Sequence, residues 1–486
     1  MLRIHPGPAH PLHDLAATRE LEATAAASLP AHTLMQRSGL ATARLALALA
    51  PHARHIWVAC GPGNNGGDGL EAALQLQRMG KTPVVTWLGA AQTAPVDAAA
   101  SHARALAAGV TFALEPPPEC DLCIDALLGI GASRPAQGQM AEWIDHINTL
   151  SAPVLAMDLP SGLNADTGAT TGPCVKASHT LCLLTLKPGL FTAQGRDCSG
   201  QVWFESLSAA SFDFAAASAE PCAVLNAAPA EGERPHVSHK GSYGDVAVIG
   251  GAPGMTGAAL LAASAALHHG AGRVFVGLLD GGAMTVDPTQ PELMFRPIDT
   301  LETATMTVVC GCGGGLAIAA HLGKILSTPL RLVLDADALN LIAVDAQLER
   351  LLKARQSRNR LTVLTPHPLE AARLLGISTT EVQRNRLAAT EQLAQRMGCT
   401  VVLKGSGSVI ASPGERSVIN PTGNARLATA GTGDVLAGMM GARLAAGAST
   451  SSAAHQAACE AVYLHGLKAN HWPADQPLTA GALARA

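Results

Sequence analysis

The sequence predicts an α/β protein of two doubly wound domains in tandem. Three observations predict it: a length of 486 residues, a strand–turn–helix–strand grammar in both halves, and an Ala/Ser/Pro-rich stretch at 206–238 where that grammar stops and restarts. A single hydrophobic core stops growing at roughly 250–300 residues, so a chain this long divides. Strands alternating with helical patterns read as a mostly parallel sheet covered on both faces. The expected domains are residues 1–216 and 217–486.

In order along the chain, Leu12 to Ala50 is Ala-rich and reads as two helices broken at Ser38-Gly39. His55 to Cys60 reads as a strand running into glycines, and Leu70 to Met79 as a helix closed by Gly80. Pro83 to Leu88 begins the next strand, followed by strands at 120–128, 154–158 and 180–186. Past the connection, Asp245 to Gly251 is a strand entering a glycine turn, Ala258 to His269 a helix, and Arg273 to Gly277 the next strand. Strands at 307–309, 332–334, 361–364 and 400–403 complete the second half, and Val402 to Ile410 reads as a hairpin-like pair. No residue-level repeat links the halves, which points to a fusion of two α/β domains.

Composition excludes several classes of protein. Hydrophobic residues make up 48% and charged residues 14%, the opposite of a disordered chain. With 33 Lys+Arg against 37 Asp+Glu there is no basic excess to serve a nucleic-acid partner. Cys120 and Cys123 form a lone C-x-x-C, and period-2 alternation would put them on opposite faces of a strand. Buried reduced thiols are expected rather than a zinc or redox site. No apolar run reaches about 18 residues and the N-terminus lacks the apolar core of a signal peptide. The expectation is a cytoplasmic enzyme with no membrane span.

Gly61-Pro-Gly-Asn-Asn-Gly-Gly-Asp-Gly69 lies between a strand and a helix. It fits G-x-G-x-x-G, but the next strand ends Thr86-Trp-Leu-Gly with no acid to hold a ribose, so the dinucleotide fingerprint is incomplete. What remains is an anion-binding turn, to which Asn64, Asn65 and Asp68 add polar ligands that a phosphate cradle does not need. Asp125 and Asp158 end later strands, where ligands of open α/β sheets bind. A lone strand-end Asp is often only a helix cap, but three polar strand ends favour a site. In the second half Thr429-Ala-Gly-Thr-Gly-Asp434 opens a helix as an anion hole with an acid at its lip, suited to deprotonating a hydroxyl that attacks a phosphoryl group. Lys404 with its following glycines, and His367 in Thr365-Pro-His-Pro368, add to a site for an adenine nucleotide.

Together with Asp125-Ala-Leu-Leu-Gly and Asp158-Leu-Pro-Ser-Gly-Leu-Asn-Ala-Asp166, the first glycine run resembles the NAD(P)H-hydrate epimerase domain, the YjeF N-terminal family. His239-Lys-Gly, Leu334-Asp-Ala-Asp-Ala-Leu-Asn340, Thr365-Pro-His-Pro368 and Gly-Thr-Gly-Asp434 resemble the ADP-dependent NAD(P)H-hydrate dehydratases. The resemblance spans residues 14–205 and 236–470 and implies a Rossmann-like three-layer sandwich followed by a ribokinase-like domain. It implies epimerisation of R and S hydrates of NADH and NADPH, then ADP-dependent dehydration of the S hydrate with release of AMP and phosphate. By motif, Asn64, Asn65, Gly66, Gly67 and Asp68, with Gly129, Ile130, Gly131, Ala132, Ser133, Arg134 and Pro135, would contact the hydrate. Asp158 would be the acid/base, and Asn65, Asp125 and Ser161 would hold K+. In the second domain Ala258, Gly313 or Gly315, His367 and Asp434 would face the hydrated ring, with Asp434 as the base. Lys404, Gly405, Ser406, Gly407, Ser408 and Gly433 would bind ADP, with Mg2+ on its phosphates. The family's Gly-Pro-Gly-Leu-Gly stands here as Gly311-Cys-Gly-Gly-Gly315, and its Pro-His-Pro-Gly-Glu as Pro-His-Pro-Leu369-Glu370. The partners expected are these small molecules and further copies of the chain in a homo-oligomer. The competing readings are a ribokinase-like small-molecule kinase and a non-catalytic binding module in the first half.

Overall fold

The computed structural model describes residues 1–131, 134–207, 219–230, 235–447, 450 and 452–486. Two compact units emerge, Met1–His5 with His10–Ala223, and Pro6–Ala9 with Val224–Ala486. The boundary expected between residues 216 and 217 lies outside the described residues.

In the first unit an eight-stranded sheet runs Leu2–Arg3, Gln201–Glu205, His179–Leu183, Val154–Met157, Leu122–Ala126, His55–Cys60, Thr82–Trp87, Thr111–Ala113. All neighbours are parallel except Leu2–Arg3 on Gln201–Glu205. The chain leaves His55–Cys60 toward one edge and returns to its other side at Leu122–Ala126, so the strand order reverses between these two. Alternation along His55–Cys60 explains the layering: Ile56, Val58 and Cys60 enter one apolar layer, Trp57 and Ala59 the other.

The second unit repeats this plan with different residues. Its sheet contains Met294–Phe295, Arg273–Leu278, Asp245–Gly250, Thr307–Cys310, Arg331–Leu334, Leu361–Leu364 and Thr400–Leu403 in that order, all parallel. Val409–Ala411 and Ser417–Ile419 extend it antiparallel, so the hairpin expected after Val402 is present. The order reverses between Asp245–Gly250 and Thr307–Cys310. Helices Thr256–His268 and Thr432–Ala446 approach so closely that a Cβ at Gly438 would meet the Ala262 carbonyl oxygen at 2.0 Å. The Ala/Gly richness of the chain thus serves close helix packing as well as turns.

Three local expectations are corrected. The first two helices are Leu15–Ala27 and Thr33–Leu49, and the break falls before Thr33 rather than at Ser38-Gly39. Gly39 sits mid-helix because a Cβ there would come within 2.3 Å of Glu71 Cβ on the facing helix. That facing helix begins at Asn64, not Leu70, so the Asn-Asn-Gly-Gly-Asp run is its first turn. Cys120 precedes the strand Leu122–Ala126 and packs on the same apolar layer as Cys123, so strand alternation does not separate them. Among the described residues no helix is long and apolar enough to cross a membrane.

Candidate active sites

In the first unit a cavity of about 730 Å³ opens at the reversal of strand order, where ligands of open α/β sheets bind. Asn64, Asn65, Asp68, Gly129, Ile130, Gly131 and Asp158 line it. Because Asn64–Arg78 is helical from its first residue, only part of the glycine run faces the cavity. Gly66 and Gly67 pack away from it: added Cβ atoms would meet the Gly61 carbonyl oxygen at 1.9 Å and the Ala98 backbone at 2.8 Å. Arg134 and Pro135 are exposed and outside the lining, and Ala132 and Ser133 lie outside the described residues.

Beneath Leu128, a member of the lining, the structure brings together Asn65, Asp125 and Ser161. The Asp125 carboxylate accepts from the Ser161 hydroxyl at 2.6 Å and from the Ser161 and Leu127 amides at 2.8 and 3.2 Å. Ser161 Oγ accepts from Leu128 N at 2.8 Å, and Asn65 Nδ2 donates to Leu128 O at 3.0 Å. Burial pushes the Asp125 carboxyl up to about 6, against the hydrogen bonds from Ser161 and Leu127. This is a buried, oxygen-rich set of the kind hard cations prefer.

Asp158 follows the strand Val154–Met157 with φ 64, a left-handed conformation that Asp tolerates better than most residues. Its carboxylate is ion-paired with Lys187 and accepts from Leu183 N at 3.1 Å. The Lys187 ammonium is 1% exposed and also donates to Leu183 O at 2.8 Å. Burial pulls Lys187 down, but the carboxylate of Asp158 and the Cys182 thiol more than offset it, so its pKa is raised. Burial also holds the carboxyls of Asp68 and Glu22 above their ordinary range, and Asp158 adds to both shifts. His32, bonded to Asp97 at 2.5 Å, and Arg19 complete a lining of alternating charge.

In the second unit the ends of adjacent parallel strands converge. Asp335 follows Arg331–Leu334, Thr365 follows Leu361–Leu364, and Lys404 follows Thr400–Leu403. The buried Asp335 carboxylate accepts from Lys404 Nζ at 2.7 Å and Thr365 Oγ1 at 2.8 Å. Gly433 lies against that ammonium, 3.3 Å from where its Cβ would stand. Asp434 opens the helix Thr432–Ala446 and is half-buried; burial, then the charge of Asp335, pushes its carboxyl up to about 6, while Cys312 and Lys404 oppose. Gly313 (φ 57) adjoins Ala258, since a Cβ there would stand 2.9 Å from Ala258 Cβ. Gly315 (φ 51) donates its N–H to Asp337 at 2.8 Å. His367 caps the helix Pro368–Leu375: its Nδ1 accepts from Leu369 N at 3.1 Å while Glu370 accepts from His367 N at 2.8 Å. That leaves Nε2, which sits 3.2 Å from the second Glu370 oxygen. Gly405 (φ 128) and Gly407 (φ 59) make the turn around Ser406, and Ser408 Oγ donates back to Gly405 O at 3.3 Å.

The family model for the YjeF-related protein N-terminus matches residues 31–189, and the model for NAD(P)H-hydrate dehydratase matches residues 246–485. A bifunctional NAD(P)H-hydrate repair enzyme of Escherichia coli (strain K12) is 36% identical, covering 93% of this chain and 87% of its own. The chain belongs to the bifunctional NAD(P)H-hydrate repair enzymes. Its counterpart in Coxiella burnetii is 37% identical and covers 93% of each chain. A solved ADP/ATP-dependent NAD(P)H-hydrate dehydratase from Bacillus subtilis, co-crystallised with ATP/Mg2+, is 31% identical over 52% of this chain and 90% of its own, with a TM-score of 0.45.

Sequence reasoning on this repair enzyme passes over four side chains that the structure puts in these two sites: Lys187, Glu22, Arg19 and Asp335. Lys187 carries a signal, a lone cation closing the apolar run Leu181-Cys-Leu-Leu-Thr-Leu-Lys187, and Asp335 is another strand-end acid. Glu22 and Arg19 have none, being two charges among several on an Ala-rich helix.

Proposed function

We propose that the first unit interconverts the R and S hydrates of NADH and NADPH and that the second dehydrates the S hydrate with ADP. The reading is carried by one observation: each sheet sets an acid at its ligand-binding edge, Asp158 in the first and Asp434 in the second. Asn64, Asn65, Asp68 and Gly129–Gly131 orient the hydrated ring, and Asp158, held by Lys187, moves the proton. Asn65, Asp125 and Ser161 would hold K+, which when bound supplies positive charge beside the substrate; the oxygen-only set fits it.

In the second unit Asp434 takes the proton of the ring hydroxyl as that oxygen attacks the β-phosphoryl group of ADP, releasing AMP. The C–O bond then breaks, phosphate leaves, and loss of a proton from the neighbouring carbon reforms the double bond of NAD(P)H. Lys404 to Ser408 and Gly433 hold the nucleotide, whose phosphates Mg2+ would neutralise. Ala258, the glycines at 313 and 315 and His367 bound the space for the ring. A kinase reading leaves the first unit's cavity and its buried Asp158–Lys187 pair without a role.

The test is to supply mixed NADH-hydrate epimers and follow the absorbance of regenerated NADH. Complete conversion is expected with ADP and none without it. Conversion that stops at the S fraction would remove the epimerase assignment, and ADP-independent conversion would remove the phosphoryl-transfer step.

A further inference from the structure

Arg386 opens the helix Arg386–Met397, yet its side chain is turned inward and the residue is only 1% exposed. Burial pulls the guanidinium down to about 10, which leaves it charged at neutral pH. Its Nη1 donates to Gln383 Oε1 at 2.7 Å. Its Nη2 donates to two consecutive main-chain carbonyls, Leu403 O at 3.2 Å and Lys404 O at 3.1 Å. Those carbonyls end the strand Thr400–Leu403 and open the turn from Gly405 to Ser408. The guanidinium lies close beneath that turn: a Cβ at Gly405 (φ 128) would stand 3.2 Å from both of its terminal nitrogens.

Holding two carbonyls fixes the amides on the other side of the same peptide planes. In a trans peptide the N–H points opposite to the C=O, so the amides of Lys404 and Gly405 are turned away from the guanidinium. The Lys404 N–H is taken up by Pro366 O at 2.9 Å. The Gly405 N–H has no hydrogen-bond partner among the described residues, and Gly405 is exposed. Such an amide, held in a glycine turn beside Lys404, is a donor suited to an anion.

We propose that Arg386 is a positioning residue of the dehydratase site, which aims the Gly405 N–H at a phosphate oxygen of ADP. This deepens the reading of Lys404 to Ser408 as the nucleotide-binding turn and rests on it. Arg386 acts through the backbone and touches no ligand itself. Loosening its grip frees the peptide plane between Lys404 and Gly405 to rotate, and the amide no longer meets the phosphate in a fixed direction. Methionine removes the grip altogether. Lysine keeps the charge but lacks the second head nitrogen that Gln383 holds, so it is expected to act as a partial substitute.

The experiment measures kcat and the separate KM values for ADP and for the S hydrate in the full-length parent, Arg386→Lys and Arg386→Met, with Mg2+ present and thermal melts on each. Hydrogen exchange of the segment 404–408 is followed with and without ADP. The KM for ADP is expected to rise about tenfold or more in the methionine variant and less in the lysine variant, the scale of one charge-assisted hydrogen bond, while the KM for the hydrate stays within about twofold. Protection of the segment by ADP should weaken in the same order. If the methionine variant does not fold, the lysine variant decides alone. A KM for ADP equal to the parent's in a folded variant would overturn the proposal, as would a parallel rise in both KM values, the mark of general loosening. The parent separates the two layers. If ADP leaves its segment 404–408 unprotected, the nucleotide assignment falls and the role of Arg386 with it; if ADP protects it and Arg386→Lys behaves like the parent, only the role of Arg386 falls.

Discussion

The two acids that the sequence selects for proton chemistry sit in opposite electrostatic company. Asp158 is met by a buried ammonium, Lys187, whose other hydrogen bond goes to the backbone at Leu183. Asp434 is met by a second carboxylate, Asp335, and the cation that could have balanced it is bonded to Asp335 instead. Both stand on the same doubly wound plan, at the same kind of reversal in strand order. The plan therefore fixes where an acid stands, while one neighbouring side chain decides what it does there. An ion pair orients Asp158, and burial, reinforced by the charge of Asp335, brings Asp434 to about 6, close to the pH at which a general base works best.

The most severe challenge to this contrast is to neutralise each acid in turn. Asp158→Asn should lower epimerisation by roughly 10²–10⁴-fold and leave dehydration of the S hydrate intact, and Asp434→Asn should do the reverse. Separate assays of the two epimers decide it; a variant that folds yet loses both activities would contradict two independent sites.

Removing the partner of Asp158 comes next. Lys187→Met leaves a buried carboxylate unpaired, a change that typically costs about 3–5 kcal/mol, so thermal melts should show the first unit weakened and epimerisation lost. If the variant melts like the parent, Lys187 is not what holds Asp158. Asp434 extends the contrast through pH. Its carboxyl must be ionised to accept a proton and its pKa is raised to about 6, so dehydration should fall roughly tenfold per unit below pH 6. A dehydration rate flat from pH 7 to pH 5 would argue that another group is the base.

The smallest effect concerns the division itself. Chains cut just before Pro221 should give two soluble pieces, each with its own activity. Pro6–Ala9 groups with the second unit, where Ala228 N donates to Gly7 O at 2.7 Å, and this contact is lost from the isolated C-terminal piece. A modest drop in its stability, about 0.5–1.5 kcal/mol by denaturant titration, is expected. Aggregation of both pieces would show that they do not fold alone.

Much of the fold is legible in the order of residues. Alternating apolar residues make His55–Cys60 and Asp245–Gly250 readable as strands, because each face of a buried sheet has to be filled in a period of two. Glycines and acids after those strands mark the ligand edge, since only backbone without Cβ atoms makes such turns and strand ends are where side chains reach a ligand. Helix starts are less legible. Asn64 begins a helix although the run Gly-Pro-Gly-Asn-Asn-Gly-Gly reads as a loop, and Gly39 sits inside one although it reads as a stop. In both places packing overrides local preference: Gly39 lies against Glu71, and Gly66 against the Gly61 carbonyl.

The class of fold, the reversal-point motifs and the family thus follow from the sequence alone, because periodicity and motif order are properties of neighbours along the chain. That Lys187 pairs with Asp158 and that Lys404 is bonded to Asp335 was decided by the tertiary structure. Those pairs are separated by 29 and 69 positions, and burial multiplies the strength of whichever charges the fold happens to bring together. Proton affinity at such sites is set by that company, and no local reading of the chain contains it.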